Sequence, residues 1–223
     1  KMFLDALSAE AVSNGAEVKL GVKVLQIARK SGASRVLVRA NGERELEAKI
    51  VVGCDGVGSI LGKRFFRREG YELISCIQYT MSACTLEDEH AICIYVGREV
   101  APLGYAWIFP KGDGVANVGL GVRGVTAKAY LDKFIRNHPT EFSDSKLMKV
   151  GAAPAPVSGQ VRETTLDNMM ICGDAAGQVI PLTGGGIHTS MVAGRIAGQT
   201  ASECATENRT NASDLAEYAR RYD

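Results

Sequence analysis

Apolar positions in the first part of the chain predict one helix followed by strands. Residues 2–14 carry apolar side chains at helical spacing, and Gly15 ends the predicted helix. The apolar face of this helix comprises Phe3, Leu4, Leu7, Ala11 and Val12. Alternating runs follow, and Asn41-Gly42 between two of them predicts a hairpin.

The run KIVVG, residues 49–53, predicts a strand buried on both faces, because its apolar residues are consecutive rather than alternating. It ends at Cys54-Asp55-Gly56, and Ser59 opens a short predicted helix in GSILGKRF. A second short buried strand is predicted much later, in MMICGD at residues 169–174.

From about residue 71 the pattern changes to short strand-like runs. Polar turns join ELISCIQYTMSA, HAICIYVG, GYAWIFP and VANVGLGV, which together predict an antiparallel sheet. The segment TAKAYLDKFIRNHP predicts an amphipathic helix with Tyr130, Leu131, Phe134 and Ile135 facing inward. We interpret the Pro- and Ala-rich segment 151–159 as a link back to MMICGD. The fold class is therefore α/β (α+β mixed), with one α/β unit interrupted by an antiparallel insert.

Candidate chemistry is concentrated in ICGDAAGQVIPLTGGGIHTS, residues 171–190. Asp174 follows a strand and offers an acceptor to a sugar or ribityl hydroxyl. Residues 184–201 predict a helix rich in small residues, capped by Thr183, whose first amides attract negative charge. A flavin dinucleotide offers a hydroxylated chain to the carboxylate and an acceptor edge to the helix. The alternative is a tight strand–helix turn with no ligand, because close packing also selects glycine.

Composition and charge exclude several classes of protein. The 223 residues are 46% hydrophobic and 23% charged with a net charge of +1, which is typical of a globular chain and argues against a nucleic-acid partner. No stretch is long and apolar enough to span a bilayer and no secretory signal opens the chain, so a cytoplasmic protein is expected. The six cysteines form no C-x-x-C pair, which favours buried reduced thiols and no metal site.

Two glycine-rich segments are candidates for a nucleotide-binding site. The segment 119–124, GLGVRG, matches the dinucleotide fingerprint in letters, but its preceding strand belongs to the predicted antiparallel sheet, so its context argues against that function. Gly56-Val57-Gly58, with Gly62 beyond, lies between a buried strand and a helix. That position suits a phosphate better, although its spacing is loose.

Three segments carry a resemblance to a known family. VVGCDGVGS and ICGDAAGQVIPLTGGGIHTSMVAG resemble the internal Asp-Gly motif and the Gly-Asp motif of FAD enzymes with the aromatic-hydroxylase-like fold. Residues 102–110, PLGYAWIFP, resemble the P-x-x-Y-x-W-x-F-P motif of the geranylgeranyl reductase family at all five specified positions. The chain is therefore similar to archaeal digeranylgeranylglycerophospholipid reductases.

The resemblance implies a domain organisation. Residues 1–70 and 151–205 correspond to an incomplete FAD-binding, Rossmann-like domain, residues 71–150 to an antiparallel-sheet substrate domain, and residues 206–223 to the start of a helical C-terminal region. Such enzymes begin with a G-x-G-x-x-G unit, and this sequence starts later, so we expect a fragment that is inactive alone.

The resemblance also implies roles for individual residues. Cofactor contacts are expected from Val24, Asp55, Gly56, Gly173, Asp174, Gly184, Gly185, Gly186 and Ile187. Within this set, Asp174 corresponds to the acceptor from the ribityl hydroxyls, and Val24 to a main-chain contact with adenine. Tyr105, Trp107 and Phe109 correspond to the wall of an isoprenoid cavity. The proton donor is not assigned: His188, in the first turn of the predicted helix, is one candidate, with a helix-surface residue as the alternative, and a donor in the N-terminal part of the family's enzymes is the other option.

The implied activity is FAD-dependent hydrogenation of carbon–carbon double bonds in geranylgeranyl chains, with hydride transfer to one carbon and a proton to the other. An isoprenoid lipid is the expected substrate, and peripheral membrane contact is an option. The electron donor stays open among a nicotinamide, a ferredoxin and a deazaflavin. One alternative is an FAD-dependent monooxygenase or a quinone-reducing flavoprotein. A truncated, non-catalytic lipid-binding module is the alternative from another class.

Overall fold

Two parallel strands from distant parts of the chain form the centre of the first structural layer. The computed structural model describes residues 2–29, 35–41 and 44–223. Strand β4 (Val51–Gly53) pairs in parallel with β11 (Met169–Ile171), and β10 (Thr165–Leu166) pairs antiparallel with β11. More than a hundred residues separate the two parallel strands along the chain. The predicted α/β unit with an antiparallel insert is therefore confirmed.

Strands β4 and β11 have core on both sides, as the consecutive apolar residues predicted. All three residues of β11 are buried. In β4, Val51 packs against one buried cluster and Val52 against another, although both are only half-buried. The short helix α2 (Ile60–Phe65) follows β4, and Ser59 caps it as expected, its Oγ accepting from the Gly62 amide at 2.8 Å.

A second sheet contains three antiparallel strands. They are β1 (Val24–Arg29), β2 (Val36–Ala40) and β3 (Arg44–Ala48), in that order. The pairing of β2 with β3 confirms the predicted hairpin, although Gly42 of its turn lies outside the described residues. Ile27, Val36 and Val38 bury the inner face of this sheet against the core that also contains Ile171.

The antiparallel insert forms a five-stranded sheet in the order β6-β7-β8-β5-β9. Its strands are β5 (Leu73–Ser82), β6 (Cys93–Val96), β7 (Tyr105–Gly112), β8 (Val115–Val122) and β9 (Lys146–Pro156). Helices α3 (Ala127–Arg136) and α4 (Pro139–Phe142) follow β8, and α3 packs against β5 and β8. Leu131 and Phe134 are buried in that core, with Tyr130 and Ile135 partly buried beside them, so the inward face predicted for this helix is confirmed.

Strand β9 corrects the interpretation of residues 151–159 as a link. Residues 146–156 form one strand that pairs with β5 over most of its length. Proline is tolerated here because β9 is an edge strand, where a missing N–H need not remove a ladder bond. The sheet therefore continues through Pro156, and the boundary expected at residue 150 falls inside a strand.

Helices flank the two layers. Helix α1 (Met2–Ser13) has the predicted extent, and Gly15, at φ +90°, follows its end. None of the residues of α1 is buried, so its apolar face is exposed or lines the cavity described below. Helix α5 (Ile187–Thr206) packs its buried small residues against β11, and α6 (Ala212–Leu215) and α7 (Glu217–Tyr222) complete the same core.

Of the helices in the described part of the chain, none combines the length and the apolar character needed to cross a lipid bilayer.

Candidate functional site

The ends of β4 and β11 meet at one edge of the parallel pair. The Cys172 amide donates to the Gly53 carbonyl at 3.0 Å, which aligns the two strand ends. Because parallel strands point their carboxyl ends in one direction, the segments 54–56 and 172–174 emerge side by side. An open cavity of about 620 Å³ begins at this edge and extends along α5 and α1. Open α/β sheets bind ligands at such an edge.

The turn after β11 requires glycine and presents a carboxylate. Gly173 has φ +65°, and a β-carbon there would lie 3.0 Å from Oγ of Ser190 on α5. A short 3₁₀ turn, Gly173–Ala176, then directs Asp174 to the cavity wall. Burial raises the pKa of the Asp174 carboxyl above its ordinary value. The carboxylate is therefore partly desolvated before any ligand binds.

A buried hydrogen-bond network holds this turn in place. Oε1 of Gln178 accepts from the Gly173 amide at 2.7 Å, and its Nε2 donates to the Tyr218 hydroxyl at 2.8 Å. Tyr218 comes from α7 and also donates to the Ile171 carbonyl at 3.2 Å. On the other side, the Tyr71 hydroxyl donates to the Asp174 carbonyl at 2.6 Å.

Sequence reasoning missed Gln178, Tyr218 and Tyr71. The one available signal was Gln178, a polar residue between Gly177 and the apolar pair Val179-Ile180, since a polar side chain in such a position needs buried partners. Its partners come from distant parts of the chain, so no local pattern identifies them.

The glycine segment before α5 differs from its prediction. The helix begins at Ile187 rather than Gly184, and Thr183 does not cap it; its Oγ1 accepts from the Gly185 amide at 3.2 Å. The reason is a tight turn: the Gly184 amide donates to the Ile180 carbonyl at 2.8 Å, and Gly184 has φ +65°. Gly186 occupies the N-cap position without a side-chain cap. The first-turn amides of α5 are therefore left for solvent or a ligand.

The carboxylate and the helix start lie against each other. A β-carbon on Gly186 would lie 3.2 Å from Oδ1 of Asp174 and 3.1 Å from Cγ1 of Val179. Any larger residue at position 186 would thus crowd the carboxylate. The two features singled out in the sequence, an acceptor at a strand end and a bare helix N-terminus, form one wall of the cavity.

The structure brings together most, but not all, of the predicted cofactor residues. The cavity wall contains Gly56, Gly173, Asp174, Gly184, Gly186 and Ile187. Three residues of the predicted set are not in that wall. Gly185 belongs to the turn, and Val24 starts β1 in another sheet. The Oδ2 atom of Asp55 accepts from the Ile60 amide at 2.8 Å, so this carboxylate caps α2.

His188 lies away from the cavity wall. Its side chain is exposed, whereas Ile187, Ser190 and Met191 of the same helix line the cavity. His188 is thus not among the residues that line the cavity, and its role as a proton donor stays a prediction.

Two thiols flank Gly173 at the cavity edge. Cys54 is exposed, which corrects the expectation of buried thiols for this residue, and Cys172 is buried. A hydrogen bond with Cys54 lowers the pKa of Cys172 to about 7, helped by the Tyr218 hydroxyl and the Gly173 amide, and the same pairing raises the pKa of Cys54.

The three aromatic residues of β7 share one face of the five-stranded sheet, because they occupy alternate positions along the strand. The ring centroids of Tyr105 and Trp107 lie 5.7 Å apart, as do those of Trp107 and Phe109, and the latter pair is stacked at 20°. All three side chains are half-buried, and α3 covers the opposite face of the sheet. The rings thus form an apolar surface on the face that α3 leaves open.

The indole of Trp107 lies across the neighbouring strand. Its Nε1 donates to Oε1 of Gln78 on β5 at 3.1 Å, and Gly119 of β8 lies beneath the ring. Gly119 and Gly121 lie within β8 of the antiparallel sheet, a context that does not suit GLGVRG as a dinucleotide fingerprint.

The aromatic face adjoins the cavity through one hydrogen bond. The Tyr105 hydroxyl donates to the Thr183 carbonyl, next to Gly184 of the cavity wall. The segment before α5 is thus fixed to the antiparallel sheet, so Tyr105 of the aromatic face lies next to the cavity wall.

Within the described ranges, no group of three or more His, Cys, Asp or Glu side chains is arranged to hold a metal ion.

Comparison with solved structures defines the class of protein. The fold matches that of a flavin-dependent halogenase, CmlS, with a TM-score of 0.77 at 17% identity over 99% of this chain and 43% of that one. It also matches a geranylgeranyl bacteriochlorophyll reductase-like protein from Thermoplasma acidophilum, with a TM-score of 0.87 and 31% identity over 98% of this chain and 57% of that one. The fold is therefore shared with a flavin-dependent enzyme and with a reductase-like protein.

The chain is also similar to the geranylgeranyl reductase family. The family's catalytic-domain model matches residues 72–154, which hold the antiparallel sheet. The digeranylgeranylglycerophospholipid reductase of Methanocaldococcus jannaschii is 38% identical over the whole chain, and a Methanopyrus kandleri protein of the same name, numbered 2, is also 38% identical over the whole chain. The chain spans 59% of the length of each of these two relatives.

Proposed function

We propose that this chain forms the flavin- and substrate-facing part of an oxidoreductase that hydrogenates carbon–carbon double bonds of geranylgeranyl chains on a glycerophospholipid. The carrying observation is that a cavity with a carboxylate and a bare helix start adjoins an apolar aromatic face. Relatives named for reduction of a digeranylgeranyl glycerophospholipid support the choice of substrate.

The residues present fit a flavin. The β-carbon that Gly186 lacks would fill the space beside Oδ1 of Asp174, so the wall is kept open where a ligand needs both an acceptor and backbone donors. Asp174 would hold ribityl hydroxyls, and the amides at the start of α5 would meet the acceptor edge of the ring. When bound in its reduced form, a flavin supplies a hydride equivalent and has an anionic edge that a helix N-terminus stabilises.

The remaining residues of the site orient the ligands. Tyr105 holds the segment before α5 against the sheet, which fixes the distance between the flavin wall and the aromatic face. Trp107 and Phe109 would bury isoprene units, and their exclusion of water strengthens every polar contact nearby. An isolated trisubstituted double bond is a poor hydride acceptor, so this positioning must supply much of the rate enhancement.

A binding titration tests the flavin part of the proposal. Replacing Asp174 with alanine removes a hydrogen-bond acceptor with a charge, which costs roughly 1.5–3 kcal/mol of binding free energy. The dissociation constants for FAD of wild type and variant can be compared by flavin fluorescence, with Asp144→Ala, an exposed carboxylate on another surface, as the control. Equal affinities in wild type and Asp174→Ala contradict the proposed role.

A substrate assay separates the proposal from its rivals. The full-length protein that contains this chain is given chemically reduced FAD and either a digeranylgeranyl glycerophospholipid, a quinone, or an aromatic acid together with dioxygen. The proposal predicts that only the lipid gains dihydrogen, one per double bond, detected by mass spectrometry. Turnover of the quinone instead, or oxygen insertion into the acid, identifies the other flavoenzyme classes.

A further inference from the structure

Four side-chain positions lie in one row across the open face of the five-stranded sheet. Trp107 of β7 pairs with Gly119 of β8, which pairs with Gln78 of β5, which pairs with Gly151 of β9. Residues opposite each other in an antiparallel ladder point to the same face. The row therefore contains one large ring, one amide and two glycines.

The first glycine of this row, Gly119, lies directly beneath the indole ring of Trp107. A β-carbon on Gly119 would lie 2.5 Å from Cζ2 and 2.7 Å from Cε2 of Trp107, and 2.7 Å from the backbone carbonyl oxygen of Ile77 on β5, distances that real β-carbon atoms do not reach. The six-membered part of the indole thus rests directly on the backbone of β8. The backbone angle of Gly119 is not in the left-handed region, so glycine is required here by space and not by conformation.

The amide of the row anchors the far side of the ring. Nε1 of Trp107 donates to Oε1 of Gln78 at 3.1 Å, although the two residues lie on strands separated by β8. Phe109 stacks alongside at 20° and Tyr105 lies tilted at 57° on the other side. The indole is held at its edge and from below, and its upper face stays half-exposed.

We propose that Gln78 and Gly119 are positioning residues that hold Trp107 flat across the sheet and thereby set the depth of the apolar site. With both present, the ring offers its face to an apolar chain. Without either, the ring stands up from the sheet and narrows the space above it. The way in which Gln78 and Gly119 hold the Trp107 ring does not depend on the ligand. Only the identity of the ligand as an isoprenoid rests on the proposed function.

The test uses the fact that Trp107 is the only tryptophan of the chain, so its emission reports on this site alone. The variants are Gln78→Leu, which removes the acceptor at similar size, and Gly119→Ala, which adds the forbidden β-carbon. Gly151→Ala is the matched control, because it lies in the same row and a β-carbon there meets nothing within 4 Å. Gln78→Glu restores an acceptor and serves as the rescue.

Emission, near-ultraviolet circular dichroism and acrylamide quenching are measured on each protein without added ligand. Both Gln78→Leu and Gly119→Ala are expected to shift the emission to longer wavelength and to increase quenching, whereas Gly151→Ala and Gln78→Glu stay close to wild type. Wild-type spectra in Gln78→Leu overturn the proposal, even if Gly119→Ala fails to fold. Equal shifts in Gly119→Ala and Gly151→Ala also overturn it.

A second arm adds geranylgeraniol in detergent micelles and follows the change in tryptophan emission. Gln78→Leu is expected to bind the probe about fivefold more weakly than wild type, the change that corresponds to one lost neutral hydrogen bond. If the probe binds neither wild type nor any variant, the proposed substrate class is wrong. The spectra of the first arm still show whether Gln78 and Gly119 position the Trp107 ring. Unchanged affinity in Gln78→Leu contradicts its effect on the depth of the site.

Discussion

At the scale of single residues, the site holds a carboxylate in a partly desolvated position. Asp174 is partly desolvated against Gly186, and Gly173 has a left-handed backbone to bring it there. Such arrangements are common where a ligand rather than the fold determines the residue. Substitutions that relieve the desolvation of Asp174 are expected to stabilise the protein and to impair ligand binding.

Replacing Asp174 with asparagine tests this expectation through pH. Burial raises the pKa of the carboxyl above 3.8 in the folded state, so the folded protein retains a proton over a range in which the unfolded chain has released it. Stability therefore falls as the pH rises through that range, and the loss persists at neutral pH. The variant should melt slightly higher than wild type at pH 7 and show a flatter profile from pH 3.8 upward. A lower melting temperature at pH 7 contradicts this account.

Trp107 tests whether the aromatic face is a ligand surface or core. Its ring lies on the face opposite α3, so Trp107→Leu should cost about 1 kcal/mol, mainly the bond to Gln78. Leu131→Ala, in the core under the same sheet, should cost about 2–5 kcal/mol. Urea unfolding of both variants gives the comparison. Similar losses in the two variants would assign Trp107 to the core.

At the scale of elements, the sequence predicts the strands and sheets better than the segments that connect them. The buried strands, the hairpin and the antiparallel insert follow from apolar patterns that each strand carries in full. The sequence predicts a link where β9 lies, because the prolines and alanines of residues 151–156 are typical of a connecting segment. Only the pairing with β5 makes these residues a strand. The start of α5 was misplaced because consecutive glycines suit both a bare helix start and a tight turn, and the Ile180–Gly185 bridge selects the turn.

The turn before α5 depends on a neighbouring sheet, which gives an element-scale prediction. Tyr105→Phe removes the donor to the Thr183 carbonyl and should cost about 1 kcal/mol. Amide hydrogen exchange of residues 183–187 should accelerate, because the turn loses its attachment to β7. Tyr130→Phe, on α3 beneath the other face, is the control. Unaltered exchange in Tyr105→Phe would show that the glycine turn is stable without its hydrogen bond to Tyr105.

At the scale of the whole molecule, the site is completed by residues far apart along the chain. The turn at Gly173 is held by Gln178, by Tyr71 before the antiparallel sheet and by Tyr218 near the last residue. Sequence motifs identified six of the residues that line the cavity, because those residues carry recognisable spacing. They did not identify the supporting residues, because a buried hydrogen bond between distant segments leaves no periodic signal.

Tyr218 provides the corresponding prediction. Tyr218→Phe leaves the Gln178 amide and the Ile171 carbonyl without their partner in a buried place, at a cost of about 1–3 kcal/mol of unfolding free energy. Flavin affinity should fall as well, since the Gly173 turn loses its support. Tyr222→Phe, on the same helix and less buried, should change neither quantity. Loss of stability with unchanged flavin affinity would separate α7 from the site.

The most direct measurement is the quenching of the single tryptophan by added FAD. If the flavin occupies the cavity beside the aromatic face, Trp107 lies near it, and emission of wild type should fall saturably as FAD is added. Asp174→Ala should require a markedly higher FAD concentration for the same quenching. Saturable FAD binding, detected by flavin absorbance, with unchanged tryptophan emission contradicts the placement of the flavin beside the aromatic face. So does equal quenching of wild type and Asp174→Ala at every concentration.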